Sequence, residues 1–314
     1  GKVHMVRPKE DSDIPWTALL IGLWIPNFFY WGLNQYIVQR TLGSKSLAEG
    51  QKGIVFAAAL KLLIPFLVVV PGILAFNLFS ADLLNAATGE YDYDRAFPVL
   101  VRNLIKPYPL ISWFVLAALC GAVISSLASM LNSASTIATM DLYSKFSGVK
   151  DSKKLVKVGR FFVVLFVILA GLVAPALDNF TSIFSYIQEF QGFISPGILA
   201  VFIFGFFSPR TPRYFGAVGI GLNVVSYGSF KWLVGPWLVS NGWWYSEHIA
   251  FLDRMAICFF IVLIAGLLLT WIKPMKNPVV MPVNDQIELE SSTGAKWVGI
   301  GVVLATIALY AVFW

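Results

Sequence analysis

Carboxylates are scarce in this chain. Asp and Glu together number 17 in 314 residues, and charged residues of both signs make up only 13%. Cysteine is scarcer still. Cys120 and Cys258 both lie in apolar stretches, so they make no disulfide framework and have no metal-ligand spacing. What fills the chain instead is apolar: 58% of residues are hydrophobic and the mean hydropathy is +0.75. A soluble domain cannot hide that much apolar surface, which makes this an integral membrane protein whose first partner is the lipid bilayer. The net charge of +6 sits in short loops, as membrane topology requires, and gives no reason to expect nucleic acid. The chain opens at Gly1 with no signal-peptide pattern, which raises the expectation of a fragment.

A span needs about 20 mostly apolar residues. Eight such stretches are expected, near 15–38, 53–79, 109–144, 155–178, 180–207, 212–236, 249–272 and 295–314. Basic loops follow the first, third, fifth and seventh of them. The richest holds Lys145, Lys150, Lys153, Lys154, Lys157 and Arg160. Acidic or weakly charged connections alternate with these, among them Asp82, Glu90, Asp92 and Asp94 before the third span. The positive-inside rule then puts the basic loops in the cytoplasm and both ends of the chain outside. The long polar stretch at 276–296 is placed in the cytoplasm by the same rule. No short-period repeat is visible.

Four spans depart from a plain apolar helix. The first carries Pro26 at mid-span, with Asn27, Tyr30 and Asn34 on one face. Interrupted helices with polar residues at the break are how transporters expose backbone groups to a substrate, and a simple proline kink is the alternative. The second carries Lys61, eight residues past Gly53 and so about 12 Å along the helix. A lysine at that depth is costly unless it is hydrated, paired or snorkelling. The fifth reads FTSIFSYIQEFQGFISPGILAVF, with Phe184 and Gln188 as i, i+4 neighbours, Glu189 pointing elsewhere and Pro196-Gly197 weakening the helix beyond. A ring above an amide suits a sugar, and an amide bonding a neighbouring helix is the plainer reading. The third reads GAVISSLASMLNSAS at 121–135. Gly121, Ser125, Ser129 and Ser133 recur every four residues, as in a close-packing seam. The adjacent pair Ser125-Ser126, with the Ala122 carbonyl one turn back, also offers three neutral oxygens to a monovalent cation, where a divalent ion would call for carboxylates.

The stretches YWGLNQYIVQRTLG, SSLASMLNSASTIATMDLY and YIQEFQGFISPGILAVF resemble the signatures of the sodium/solute symporter family, on its bacterial galactose-transporting branch. The resemblance covers essentially all 314 residues. It implies an all-α membrane protein built from the second five-helix repeat of a leucine-transporter-type inverted-repeat fold. On that reading 1–14 is an outer loop, 15–207 the repeat and 208–314 three peripheral helices. It further implies that the Ala122 carbonyl, Ser125 and Ser126 ligate Na⁺, that Asn27, Lys61 and Gln188 hydrogen-bond a sugar, and that Tyr30 and Trp31 form an inner gate with Phe184 in the outer one. The family's first repeat, which would complete both sites, has no counterpart here, so the missing N-terminal repeat of the same transporter is an expected partner.

The implied activity is uptake of a galactose- or glucose-type sugar driven by sodium entry across a bacterial inner membrane. No covalent chemistry is required. Within the same family the solute could instead be proline, a nucleobase or a carboxylate, and Lys61 would suit an anion. An enzyme reading would make Ser125 or Ser126 the nucleophile and Lys61 the base of an intramembrane hydrolase, but the pair lacks a strained elbow and an oxyanion hole. A structural reading would leave the polar residues as glue between helices.

Overall fold

The computed structural model describes residues 6–11, 14–85, 89, 91–179, 183–281 and 289–313, with the backbone alone at 178–179. Glu90 and the middle of the polar stretch at 276–296 therefore lie outside the described residues. Among those described the protein is all-α; the single bridge from Leu84 to Tyr91 is isolated. Five helices are long and apolar enough to cross a membrane: Leu47–Leu83, Pro109–Ser147, Ser152–Leu177, Phe251–Ile272 and Thr293–Val312. A sixth crossing is the pair Ile183–Gly192 and Ser195–Phe207, bent by 41°. The stretches near 15–38 and 212–236 are helical in shorter pieces.

Proline explains most of these breaks. It has no N–H to offer the carbonyl four residues back, and its ring crowds that carbonyl. Pro26 acts in this way on Gly22, between α1 (Trp16–Leu20) and α2 (Trp24–Gly32), and α3 (Gln35–Leu42) follows. Pro65 acts on Lys61, where α4 (Leu47–Lys61) ends. Pro71 follows a π-helical turn at Pro65–Val69, and Pro236 follows another at Phe230–Val234. A π turn is the usual way a helix absorbs one residue too many.

The chain divides into two compact units, Leu63–Ile183 and the combination of Gly1–Leu62 with Phe184–Trp314. In the first of these, α5 (Val70–Leu83) packs on α6 (Ala96–Ile105) through Ala75, Leu83, Val99 and Leu100. The long α7 (Pro109–Thr136) continues through a π segment, Ile137–Tyr143, into the short α8 (Ser144–Ser147), and returns as α9 (Ser152–Val173) alongside. Asp151 caps α9 by accepting from the Lys153 N–H at 3.0 Å.

In the other unit α10 (Ile183–Gly192) leads into α11 (Ser195–Phe207), which packs against α2, α12 (Phe215–Ser229) and α14 (Phe251–Ile272). The short α13 (Gly235–Ser240) precedes α14, and α15 (Thr293–Val312) lies along α4. Two cores hold this unit. One surrounds Tyr227 with Ile25, Leu252, Met255 and Cys258; the other joins Ala200, Phe204, Phe215 and Val262. Asp253 at the start of α14 accepts from the hydroxyls of Thr17, at 3.1 Å, and Tyr245, at 3.0 Å, which ties α1 to α14. Burial pushes the Tyr245 phenol above its ordinary pKa.

Gly266 lets α14 approach the aromatic pair Phe204 and Phe215. A Cβ there would sit 2.5 Å from one ring and 2.6 Å from the other. Gly266→Ala should therefore lower stability by about 1–3 kcal/mol through overpacking. Gly171→Ala, with open space around it, should leave the melting temperature in detergent unchanged or raised.

Candidate functional site

The sequence points to two groups of residues, and each is built within one unit. On α7 the helix runs unbroken through Ala122, Ser125 and Ser126, and all three are exposed. A hydroxyl in an apolar helix ordinarily bonds the carbonyl one turn back. Thr136, Ser147, Ser229, Thr270 and Thr306 all do so, at 2.7–2.9 Å. Ser125 and Ser126 do not, and neither has a hydrogen-bond partner among the described residues. The seam of small residues is packed only at its lower end: Ser133 is buried, while a Cβ on Gly121 would meet nothing within 4 Å. Two unpartnered hydroxyls beside a helix carbonyl suit a monovalent cation in donor type. All three oxygens come from one helix, so a cation held there would need further ligands from another element.

In the other unit, α4 ends at Lys61. The lysine stands where the helix presents its free carbonyls, a placement that favours a cation. Its Nζ lies 3.7 Å from the centroid of the Trp31 ring, a cation–π contact. Trp31 meets Tyr30 edge to face with centroids 5.1 Å apart, and the Tyr30 hydroxyl contacts that of Tyr36 on α3. Lys61 and Trp31 border a cavity of about 590 Å³ between α3 and α4 that also includes Arg40, Ser44 and Glu49. The structure thus gathers Lys61, Trp31 and Tyr30. It does not add the Asn27 amide, which turns back to donate to the Leu23 carbonyl at 2.7 Å. Phe184 and Gln188 share a side of α10, Phe184 exposed and Gln188 half-buried; neither borders that cavity.

What positions α10 escapes the sequence reading. Pro196 withholds an N–H from the Gly192 carbonyl, and Asn223 of α12 replaces it. Its buried amide donates to Gly192 O at 3.3 Å and to Phe193 O at 2.7 Å. Gly192 and Gly197 allow the approach: a Cβ on the first would lie 2.2 Å from the Tyr227 ring, and on the second 2.7 Å from Asn223. One residue beyond Gln188, Glu189 is far from idle. It accepts from Lys231 at 2.9 Å and from Arg254, which also stands over the Tyr227 ring at 5.2 Å. The signal was available as two basic residues and one acidic residue inside apolar stretches, which the membrane forces to find one another.

Against this geometry the comparisons with known proteins can be set. The model of the sodium:solute symporter family matches residues 1–220. The chain belongs to that family. Its relatives include a sodium/glucose cotransporter of Vibrio parahaemolyticus, 44% identical over 239 residues, which are 71% of this chain and 43% of that protein. An uncharacterized symporter YidK of Escherichia coli is 36% identical over 312 residues, 99% of this chain and 51% of that protein. The human sodium/myo-inositol cotransporter 2 is 37% identical over 220 residues, 66% of this chain and 32% of that protein. The chain spans about half the length, or less, of these curated relatives. Every sequence-expected site residue falls within the matched 1–220.

Replacing one partner of a charge-assisted contact costs about 1.5–3 kcal/mol. Glu189→Gln should lower stability by about that amount, whereas Phe184→Ala, at an exposed position, should change it by under about 0.5 kcal/mol. Thermal unfolding of the two variants in detergent checks the contrast.

Proposed function

We propose that this sodium:solute symporter chain couples Na⁺ entry to uptake of a galactose-like sugar across a bacterial inner membrane by alternating access. The observation that carries the reading is the unpartnered Ser125 and Ser126 pair on an unbroken apolar helix, inside the part of the chain that matches the family. In this reading Na⁺ binds the two hydroxyls and the Ala122 carbonyl, and braces α7 against a helix of the family's first repeat. That repeat of the same transporter also completes the sugar site, since the relatives are about twice this length and the oxygens on α7 are one-sided. The residues 15–207 then form the second repeat of an inverted pair.

Lys61, Asn27 and Gln188 would hydrogen-bond the sugar hydroxyls. Asn27 must first release Leu23, and the break at Pro26 leaves that turn free to do so. Trp31 and Tyr30 would close the inner side and Phe184 the outer. Aromatic rings with amide and ammonium donors suit an uncharged ring of hydroxyls. The human relative named for myo-inositol favours a cyclic polyol as the second candidate. A membrane potential of 100 mV supplies about 2.3 kcal/mol per Na⁺. That alone sustains roughly fifty-fold accumulation of solute. Nothing in this scheme breaks a bond, so transport and not hydrolysis is the proposed activity.

Ser125→Ala and Ser126→Ala should each weaken sodium-driven galactose uptake by about tenfold, the worth of a charge-assisted contact, and raise the sodium concentration needed for half-maximal rate. Ser133→Ala, at the packed end of the seam, should leave the sodium dependence as it is. Uptake in proteoliposomes by the whole transporter, with its first repeat present, measured against sodium decides this: an unchanged sodium dependence in both variants would remove the assignment.

Lys61 and Tyr30 are tested by binding. Lys61→Ala should abolish sodium-dependent sugar binding; wild-type affinity would leave Lys61 a residue held by Trp31 alone. Tyr30→Phe keeps the ring and loses the contact with Tyr36, so it should preserve affinity better than coupled flux, while Tyr30→Ala should lose both. Equal loss of affinity in the two would assign the sugar to the hydroxyl and not the ring.

A further inference from the structure

The π segment Ile137–Tyr143 is unlike the two at Pro65–Val69 and Phe230–Val234 among the described residues, because no proline follows it. A π turn without a proline to cause it commonly marks a working site. This one opens one wall of a cavity of about 540 Å³ between the end of α7 and the start of α9, wholly within the unit Leu63–Ile183. Thr139, on the π segment, is 4% exposed and borders the cavity, and its buried hydroxyl has no hydrogen-bond partner among the described residues. The neighbouring hydroxyls of Ser135 and Thr136 are spent on the Asn132 carbonyl, at 3.0 and 2.7 Å. Gly159 of α9 faces Thr139, its Cβ position 3.5 Å from the Thr139 oxygen, so the wall opposite is kept small.

Lys150 and Arg160 border the same cavity, and no carboxylate does. Neither has an ion-pair partner among the described residues. The two nearby acids are engaged elsewhere: Asp141 faces Lys145 at 3.4 Å, and Asp151 caps α9. Arg160 lies eight residues into the membrane-crossing helix that begins at Ser152, about 12 Å along it. With no carboxylate bordering the same cavity, its guanidinium is open to an anionic ligand. A guanidinium and an ammonium with a hydroxyl donor match a phosphate group, and the flat guanidinium fork fits two of its oxygens at once. The remaining wall includes Leu155, Val156 and Val163, which suit the glycerol and upper acyl carbons of a lipid. By the positive-inside rule this end is cytoplasmic, where basic pockets between helices take anionic headgroups.

We propose that this cleft between α7 and α9 binds a phosphate group, held by Arg160, Lys150 and the Thr139 hydroxyl. The phosphate can belong to a phospholipid headgroup or to a free phosphate ion, and the test separates the two. Delipidated protein in maltoside detergent is titrated with phosphatidylglycerol, with a diacylglycerol that carries the same tails, and with inorganic phosphate. Binding is read by native mass spectrometry. Phosphatidylglycerol should bind and diacylglycerol should not. Competition by millimolar inorganic phosphate identifies the free ion as a sufficient ligand; phosphatidylglycerol binding that it leaves untouched identifies the lipid as the ligand.

Arg160→Gln should weaken binding about tenfold or more, and Thr139→Val, close in shape, by severalfold. The double change of Lys153→Gln with Lys154→Gln, outside the cavity wall, should stay within about twofold of wild type. Should Arg160→Gln fail to fold, Arg160→Lys keeps the charge and loses the fork, and takes its place with an expected loss of severalfold. Equal binding of diacylglycerol overturns the proposal. So does a Lys153/Lys154 loss as large as that of the Arg160 variant, or wild-type affinity in both the Thr139 and Arg160 variants.

Discussion

A bilayer offers no water to a backbone group, so every break in a crossing helix must find substitutes for the hydrogen bonds it gives up. The architecture follows from how this protein meets that demand. Pro196 frees the Gly192 carbonyl, and α12 is held against the break because Asn223 must reach it. Gly192 and Gly197 are glycine because Tyr227 and Asn223 lie so close. Pro65 frees the Lys61 carbonyl and so fixes where α4 ends and where the lysine stands. The residues named for the sugar, Lys61 on α4, Asn27 beside Pro26 and Gln188 just ahead of the Pro196 break, all sit close to such points. A regular helix hides its backbone, and only its ends can offer it to something else.

Charge obeys the same constraint and sorts the ionisable residues by how it is met. Glu189 is answered by the cations Lys231 and Arg254 and by the Tyr227 hydroxyl. Lys61 is answered by the face of an indole, a partner weak enough to be exchanged for another. Arg160 and Lys150 are not answered by any described residue. A partly buried network of charge-assisted contacts is costly to break and so serves to position. A ring-faced lysine can trade one partner for a ligand, and an arginine unanswered within this chain is open to an anion. That gradation separates scaffold from site without reference to any relative.

Much of this was legible in the sequence, and the exceptions share a cause. Long uniform spans such as α9 and α14 declare themselves by length and hydropathy, and the stretches around Tyr30, Ser125 and Gln188 point to the family. The partition of the first expected span into α1, α2 and α3 was half legible, since Pro26 announces a break but not its extent. Glu189 was passed over because its answer lies 42 and 65 residues away. Asn223 gave no signal at all, as an amide in an apolar helix looks the same whether it faces lipid, ligand or a broken neighbour. Lys61 stands out in the sequence as a lysine inside an apolar stretch, but its contact with Trp31 depends on how α2 and α4 pack. Periodicity reports one helix at a time; what faces what is decided between helices.

The hydroxyls of α7 bear on how coupling would work. Five other Ser and Thr side chains close onto the carbonyl one turn back, which is the lowest-cost arrangement a hydroxyl has in hydrocarbon. Ser125 and Ser126 are left open together, side by side, with the Ala122 carbonyl beneath them. Leaving two donors unsatisfied costs free energy that a packing role would not need, because alanine would fill the same space. In the proposed reading a transiently bound cation would account for that cost: it would be recovered when the ion is present and felt when the ion leaves. An ion held entirely by α7 would not report its presence to anything else. An ion held half by α7 and half by a facing helix joins the two only while it is bound, and its departure releases them. The one-sidedness of the three oxygens on α7 is therefore what the proposed sodium-dependent brace would require.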